Sequence, residues 1–178
     1  MADLTDMQIA FLEKGIIYLE GEIEEKTFLY VYRCLELLSL KENPPIQINI
    51  TSPGGDVDCG LLIYDLIRLY SGKTTGRIVG FARSIAMIIL QACDKRESTE
   101  HSYSLLHYVS ERVSLDKIRN DEKLKKFVDQ LDKEQKKIYR ILKKRTKRPL
   151  KSIISLCDKA KDITAQEALD FGLIDKII

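Results

Sequence analysis

Ser84 stands where an apolar strand pattern gives way to an apolar helix pattern, a position that suits a nucleophile. Residues 77–81 read as a short strand, and residues 84–93 are almost wholly apolar and favour a helix. A serine at a helix N-terminus lies beside backbone N–H groups that have no helical partner and favour a developing anion. The turn reads Ala-Arg-Ser-Ile-Ala, close to the Gly-x-Ser-x-Gly of a nucleophile elbow. A simple N-cap is the alternative role, since serine is a preferred cap.

A serine nucleophile needs a base, and the sequence has two histidines. His101 lies in the polar segment 97–102 and is expected in solvent. His107 lies near the end of a predicted strand, residues 102–109, and the carboxyl ends of parallel strands are where sites gather. We therefore predict His107 as the general base. A strand-end histidine bonded to a neighbour is the alternative.

A second strand-to-helix junction, Thr-Ser-Pro-Gly-Gly at residues 51–55, suits an oxyanion donor. Paired glycines let the backbone approach a ligand closely and expose its N–H groups. One of these N–H groups, together with the N–H of the residue after Ser84, would form an oxyanion hole that binds the oxyanion of a tetrahedral intermediate. A tight turn that needs positive φ is the alternative.

The elements that must position these residues alternate between strand and helix. Strands are predicted over residues 15–23, 46–50, 77–81 and 102–109, helices over 27–40, 56–70, 84–93, 116–147, 150–156 and 163–172, and a strand or tail over 173–178. Thr164, with Glu167 three residues on, indicates a capping box for the last helix, and Gly172 its end. The order predicts one α/β domain, residues 1–178, with largely parallel strands.

Composition excludes several classes of protein. With 178 residues, 44% hydrophobic and 31% charged, the chain is expected to be globular, not disordered, collagen-like or a disulfide mini-protein. Four cysteines without a C-x-x-C pair predict buried thiols in a reducing compartment and no zinc ribbon. The acidic N-terminal segment does not suit a signal peptide, and no apolar run approaches the ~18 residues of a membrane span. We expect a cytoplasmic protein.

Four motifs occur in an order that resembles the caseinolytic protease P (ClpP) family of serine peptidases. They are Ser-Pro-Gly-Gly ending at Gly55, Gly-Phe-Ala-Arg-Ser ending at Ser84, Leu-Leu-His107, and the Thr164-Ala-x-Glu-Ala-x-x-Phe-Gly-Leu-Ile-Asp175 segment. The similarity runs from about Phe11 to the C-terminus. It implies a crotonase-like spiral of ββα units, with a head at about 11–109 and 150–178 and a long handle helix region at about 112–148.

The resemblance also implies roles for individual residues. Ser84 would be the nucleophile and His107 the general base, with the N–H groups of Gly55 and Ile85 as the oxyanion hole. The substrate would be a peptide or unfolded protein, no cofactor or metal would be needed, and the subunits would form rings around a chamber. An unfoldase ATPase of the AAA+ type is the partner that the family implies. Typical members of the family contact this ATPase through an N-terminal hairpin. Because the segment before the first strand is short here, the sequence leaves open whether this chain binds a standard unfoldase.

The handle region is strongly basic. Residues 116–148 hold 14 basic and 6 acidic side chains, although the net charge of the whole chain is only +2. A narrow apolar stripe runs along it: Leu124, Phe127, Val128, Leu131, Ile138 and Leu142. Such a stripe favours packing on a partner helix. Nucleic-acid binding through phosphates is the alternative, but the aromatic residues do not interleave the lysines in a stacking pattern, so we expect no nucleic acid.

The sequence departs from the family pattern around the site. Arg83 precedes Ser84, and Ala160 occupies the position of the triad acid. Asp158 and Asp162 lie two residues to either side. Asp158 is the candidate third member of the triad, whereas Asp162 is expected to face outward. Loss of the acid from a serine triad costs about 10⁴ in turnover, so an inactive ring subunit is an alternative function.

An acyl-CoA enzyme on the same fold is a further alternative. Its two N–H groups would hold a thioester enolate. The short chain and the Ser–His pair argue against it.

Overall fold

The structure, a computed structural model, describes residues 4–110 and 113–178 and has the predicted α/β architecture. The strands are β1 Ile16–Ile23, β2 Ile46–Gly55, β3 Thr74–Arg83, β4 Lys95–Ser98, β5 Tyr103–Leu105, β6 Ile163–Thr164 and β7 Lys176–Ile177. The helices are α1 Asp6–Glu13, α2 Glu25–Ser39, α3 Val57–Leu69, α4 Ile85–Leu90, α5 Leu115–Ile118, α6 Asp121–Thr146, α7 Leu150–Lys159 and α8 Ala165–Phe171. The predicted start of the handle region, at residue 112, lies outside the described residues, as do residues 1–3.

The sheet divides at β3, and this division positions the site. The main path runs β1-β2-β3-β4-β7, and all of its strand pairs are parallel. The first half of β3 pairs with β4, whereas its second half pairs with β5, which in turn pairs antiparallel with β6. The carboxyl ends of β2, β3 and β5 therefore meet at one edge of the sheet.

The core is formed by β-branched and leucine side chains of the central strands, together with α4. Ile48, Ile50 and Ile78 on β2 and β3 are fully buried. All six residues of α4 are buried as well, which explains why its sequence lacks a polar face. Burying one such side chain contributes roughly 1.5–3 kcal/mol, so the helix that begins at Ile85 is firmly held.

Three elements escape sequence prediction: α1, β4 and the two-residue strand β6, which lies at the predicted start of the last helix. Helix α1 begins with a capping box between Thr5 and Gln8, a signal that is present in the sequence. Strand β4 has the polar sequence Lys-Arg-Glu-Ser, yet Arg96 is 5% exposed. It is buried because its guanidinium binds Asp175 and two carbonyl oxygens, those of the Gln91 side chain and the Gly172 backbone.

Other boundaries differ from the predicted ones. The strand predicted over 102–109 is only Tyr103–Leu105, so His107 lies just beyond it. The long helix predicted over 116–147 is interrupted at residues 119–120, where the side chain of Asn120 accepts a hydrogen bond from the backbone N–H of Lys123 and starts α6. Helix α6 is nevertheless the long helix expected for the handle. Among the described residues, no helix is both long enough and apolar enough to cross a membrane.

The cysteines are free thiols in the core or at its border. Cys34, Cys93 and Cys157 are buried, and Cys59 is half-buried on α3. Burial raises the pKa of Cys93 to about 12, so this thiol stays protonated at neutral pH.

Candidate active site

Ser84 sits on a strained turn between β3 and α4. Its backbone has φ 54° and ψ −127°, a left-handed conformation that non-glycine residues rarely adopt and that is frequent at functional sites. The backbone N–H of Ser84 donates a 2.8 Å hydrogen bond to the carbonyl of Leu105 on β5. Its hydroxyl makes no capping hydrogen bond to α4, so the simple N-cap role does not apply.

The end of β2 lies directly against Ser84. Gly54 has φ +97°, and a Cβ built there would be 2.7 Å from the Cβ of Ser84 and 2.9 Å from the carbonyl oxygen of Arg83. Only glycine fits this close approach. The next residue, Gly55, precedes the Asp56 cap of α3. The pair of glycines therefore brings the backbone of β2 beside the predicted nucleophile.

One cavity of about 190 Å³ joins four of the predicted residues: Ser84, His107, Gly55 and Ile85 all line it. Most of its remaining wall is apolar, and its other lining residues are Pro53, Val57, Ile88, Leu106, Val109, Ser110 and Ile138. Ile85 is the first residue of α4, and the first N–H groups of a helix have no intrahelical partner. The cavity is not the largest on the described part of the chain, but it is where the candidate reacting groups converge.

His107 follows β5 and is half-buried at the cavity wall. Within residues 4–110 and 113–178, its imidazole has no hydrogen-bond or ion-pair partner, so no described carboxylate orients it. His101, by contrast, is exposed in a turn, as its polar surroundings predict.

The carboxylate of Asp158 is bound to Tyr108, the residue that follows His107. The hydroxyl of Tyr108 donates a 2.7 Å hydrogen bond to Oδ1 of Asp158, and this bond raises the pKa of Tyr108. Ala160, two residues on, ends α7 with φ 43°. The role of Asp158 as third member of a triad stays a prediction.

Arg83 and Asp162 form an ion pair that the sequence did not indicate. Nε and Nη2 of Arg83 each lie 2.7 Å from an oxygen of Asp162, and the guanidinium stacks 4.6 Å from the ring centre of Phe81. The hydrogen bond from Arg83 lowers the pKa of Asp162. Asp162 is exposed, as predicted, but its carboxylate is bound to Arg83. Neither side chain lines the cavity that holds Ser84.

Two further residues support the site and carry no sequence signal of their own. Gly60 on α3 packs against Ile85 so closely that a Cβ built on the glycine would be 2.1 Å from Cγ1 of Ile85. Gln135 on α6 is buried, and its side-chain oxygen accepts a 2.7 Å hydrogen bond from the backbone N–H of Val109. Both contacts join residues distant in sequence, so only the fold shows them.

The comparison with protein-family models agrees with this geometry. The model described as Clp protease matches residues 2–178, almost the whole chain. That family comprises ClpP-type proteolytic subunits, which as a class are serine peptidases and therefore hydrolases. Since the match covers the head, the long helix and the site, the chain belongs to the Clp protease family.

Proposed function

We propose that this chain is the proteolytic subunit of an ATP-dependent-type protease, a serine endopeptidase that cleaves peptides or unfolded protein inside an oligomeric chamber. The observation that carries the proposal is the single cavity lined by Ser84, His107, Gly55 and Ile85. The strained backbone of Ser84 and its free hydroxyl add support, because a capping serine needs neither.

The reaction follows from the roles of these four residues. Ser84 Oγ attacks the peptide carbonyl carbon while His107 accepts the hydroxyl proton. The N–H groups of Gly55 and Ile85 donate to the oxyanion of the tetrahedral intermediate. When the intermediate collapses, the C–N bond breaks and His107 delivers its proton to the leaving amine. Water then attacks the ester carbonyl carbon while His107 accepts its proton. When this second tetrahedral intermediate collapses, the C–O bond to Ser84 breaks, His107 returns the proton to Ser84 Oγ, and the acid product leaves.

The residues that line the cavity indicate the size and polarity of the substrate side chain that would bind there. Val57, Ile88, Leu106 and Ile138 contribute apolar surface, and the volume of about 190 Å³ suits one medium-sized side chain. Among the residues that the structure describes, none that lines this cavity carries an acidic, lysine or arginine side chain. We expect cleavage next to an apolar residue, since a charged side chain would lose its hydration there without a partner.

Asp158 would act as the third member of the triad after its carboxylate changes its hydrogen-bond donor from Tyr108 to His107. Its carboxylate is bound to Tyr108, the residue next to His107. To orient the imidazole, Asp158 would leave the tyrosine hydroxyl and accept a hydrogen bond from Nδ1 of His107.

Self-association through the handle is the expected assembly. The residues of α6 that are buried all lie in its second half, from Glu134 onward. In the first half Val128 is 47% exposed, and Leu115 on the neighbouring α5 is 68% exposed. These apolar side chains would be covered by the same helix of another subunit. Val128→Asp is expected to reduce the assembled mass measured by native mass spectrometry, and an unchanged mass would argue against this interface.

Other parts of the proposal rest on family membership. We expect rings that enclose the active sites, a cytoplasmic setting, and an AAA+ unfoldase that delivers substrate. Co-sedimentation of the purified subunit with such an ATPase in the presence of ATP tests that partnership, and its absence would indicate a self-contained peptidase of small substrates.

Turnover of short fluorogenic peptides with an apolar residue before the cleaved bond tests the activity. His107→Ala is expected to lower kcat by about 10²–10⁴-fold, the usual contribution of a general base. His101→Ala is the matched control, because that imidazole is exposed and lies away from the cavity. Equal activity of the His107 variant and the wild type would contradict the proposal.

A catalytically inactive ring subunit is the second candidate. It is favoured by the Tyr108–Asp158 hydrogen bond and by Ala160 at the position where the family resemblance places an acid. Turnover by the purified protein alone, lost in His107→Ala, would exclude it. Absence of turnover in protein that assembles normally would favour it.

A further inference from the structure

The ion pair between Arg83 and Asp162 crosses the strand that leads to His107. On β3, Arg83 is paired with Leu105 of β5. On the other side of β5, Ser104 is paired with Ile163 in an antiparallel ladder, so the next step places Leu105 opposite Asp162. Neighbouring strands are about 4.8 Å apart. The backbones at the two ends of the ion pair are therefore about 10 Å apart, with β5 between them.

The side chain of Arg83 suits this span. It is long enough to pass over Leu105, and its planar fork binds both oxygens of Asp162, each at 2.7 Å. Stacking on Phe81, which precedes Arg83 by two residues on the same face of β3, fixes the direction of the guanidinium. Lysine would supply the charge but not the two parallel hydrogen bonds.

The two strands beside this ion pair, β5 and β6, have few hydrogen bonds of their own. β5 is three residues long and β6 only two. Yet β5 accepts the hydrogen bond from the backbone of Ser84 and leads directly to His107. Short ladders allow slippage, and small displacements of reacting groups are costly in rate.

We propose that Arg83 and Asp162 are positioning residues, a strap across β5 that holds Ser84 and His107 in register. The inference rests on the proposed function, in which those two residues react. The strap touches neither substrate nor reacting atoms, because neither side chain lines the cavity. With side chains 33% and 37% exposed, the pair adds little to global stability, so activity and melting temperature respond differently to its removal.

The chain offers a matched control pair on the same strand. Arg77 of β3 binds Glu97 of β4 at 2.8 Å, and the two residues are direct neighbours in the ladder. That pair joins adjacent strands and does not cross β5. Removing it tests whether loss of any arginine–carboxylate pair on β3 affects the site.

Peptide hydrolysis by the assembled protein gives the first readout. Arg83→Gln and Asp162→Asn are each expected to lower kcat by about 10–100-fold with little change in KM or Tm, and the double variant to be no worse than either. The kcat of Arg83→Lys should lie between that of Arg83→Gln and that of the wild type. The kcat of Arg77→Gln should equal that of the wild type. Wild-type kcat in Arg83→Gln, or an equal loss in Arg77→Gln, would overturn the strap.

Hydrogen exchange gives a second readout that does not depend on catalysis. In the assembled protein, mass spectrometry of the peptide that contains the Ser84 amide should show faster exchange in Arg83→Gln and Asp162→Asn than in the wild type. Arg77→Gln should leave it unchanged. Unchanged protection in the Arg83 and Asp162 variants would refute the strap. Faster exchange in a protein without peptidase activity would support the strap while refuting the proposed function.

Discussion

The hydroxyl of Tyr108 donates a 2.7 Å hydrogen bond to Asp158, so the residue next to His107 occupies the carboxylate that the histidine would use. Under the proposed function, in which Asp158 orients His107, the two donors compete for this one acceptor. In the proposed mechanism, the partner of Asp158 therefore decides whether a carboxylate orients His107.

Removing the competing hydroxyl is expected to increase activity. Tyr108→Phe leaves Asp158 free to accept from Nδ1 of His107, and we predict a rise of about tenfold in kcat, a fraction of the ~10⁴ that a triad acid supplies. Tyr108→Phe combined with Asp158→Asn should return to the original rate. Tyr32→Phe, at an exposed tyrosine of α2, is the control. An unchanged rate in Tyr108→Phe would show that Asp158 is not a member of the triad.

Ala160 offers a second way to supply an acid. Its φ of 43° is unfavourable for alanine and better tolerated by aspartate and asparagine. We predict that Ala160→Asp and Ala160→Asn both keep or raise Tm, whereas only the carboxylate variant raises kcat, by about tenfold or more. The asparagine variant thus separates relief of backbone strain from added charge. Equal rates in the two variants would mean that residue 160 does not reach His107.

Much of the site could be predicted because it depends on local patterns. The apolar run after Ser84 leaves no exposed face and so predicts a buried helix with the serine at its start. The carboxyl ends of parallel strands bring Ser84 and His107 to one edge of the sheet. Gly54 and Gly55 stand in a Ser-Pro-Gly-Gly turn whose glycines indicate close backbone approach, as the structure shows.

The rest depends on pairings between distant residues. Arg83 and Asp162 are 79 residues apart, and Tyr108 and Asp158 are 50 apart. Both contacts require the register of short strands and the end of α7, which no local pattern specifies. Strand β4 is not predicted for the same reason: Arg96 is buried because its guanidinium binds Asp175, 79 residues on, together with Gln91 and Gly172.

Packing between α3 and α4 should control the oxyanion donor. In Gly60→Ala the new methyl group would meet Ile85, because the built Cβ lies 2.1 Å from Cγ1. We expect a loss of about 1–3 kcal/mol in unfolding free energy from overpacking, and slower acylation of Ser84 because the Ile85 N–H shifts. Leu62→Ala, at a half-exposed residue of the same helix, is the control. Chemical denaturation and acylation rates measure both effects, and wild-type acylation in Gly60→Ala would contradict this account.

Acid stability should depend on the pair between Asp175 and the buried Arg96. Burial alone would raise the pKa of Asp175, but hydrogen bonds from Arg96 outweigh it and hold the pKa below its usual 3.8. The stabilisation is therefore complete above about pH 4 and is lost as the pH falls through the lowered pKa. Asp175→Asn should cost about 2 kcal/mol at pH 7, and its difference from the wild type should shrink below pH 4.

The surface pair of Lys126 and Glu122 provides the comparison for this measurement. Both side chains are more than 70% exposed, so Glu122→Gln should change the unfolding free energy by less than about 1 kcal/mol at any pH. Urea denaturation at pH 7 and below pH 4 measures both variants. A pH-independent deficit in Asp175→Asn would show that the carboxylate acts by packing and not by its charge.

Covalent modification of Ser84 tests the pairing of this serine with His107 most directly. A fluorophosphonate should form one adduct, located by mass spectrometry on Ser84, and the rate of modification should fall by about 100-fold or more in His107→Ala. The Ser84→Ala variant should take up no label. Strong labelling of Ser84→Ala, or an adduct on another residue of the wild type, would contradict the assignment of Ser84 as the nucleophile.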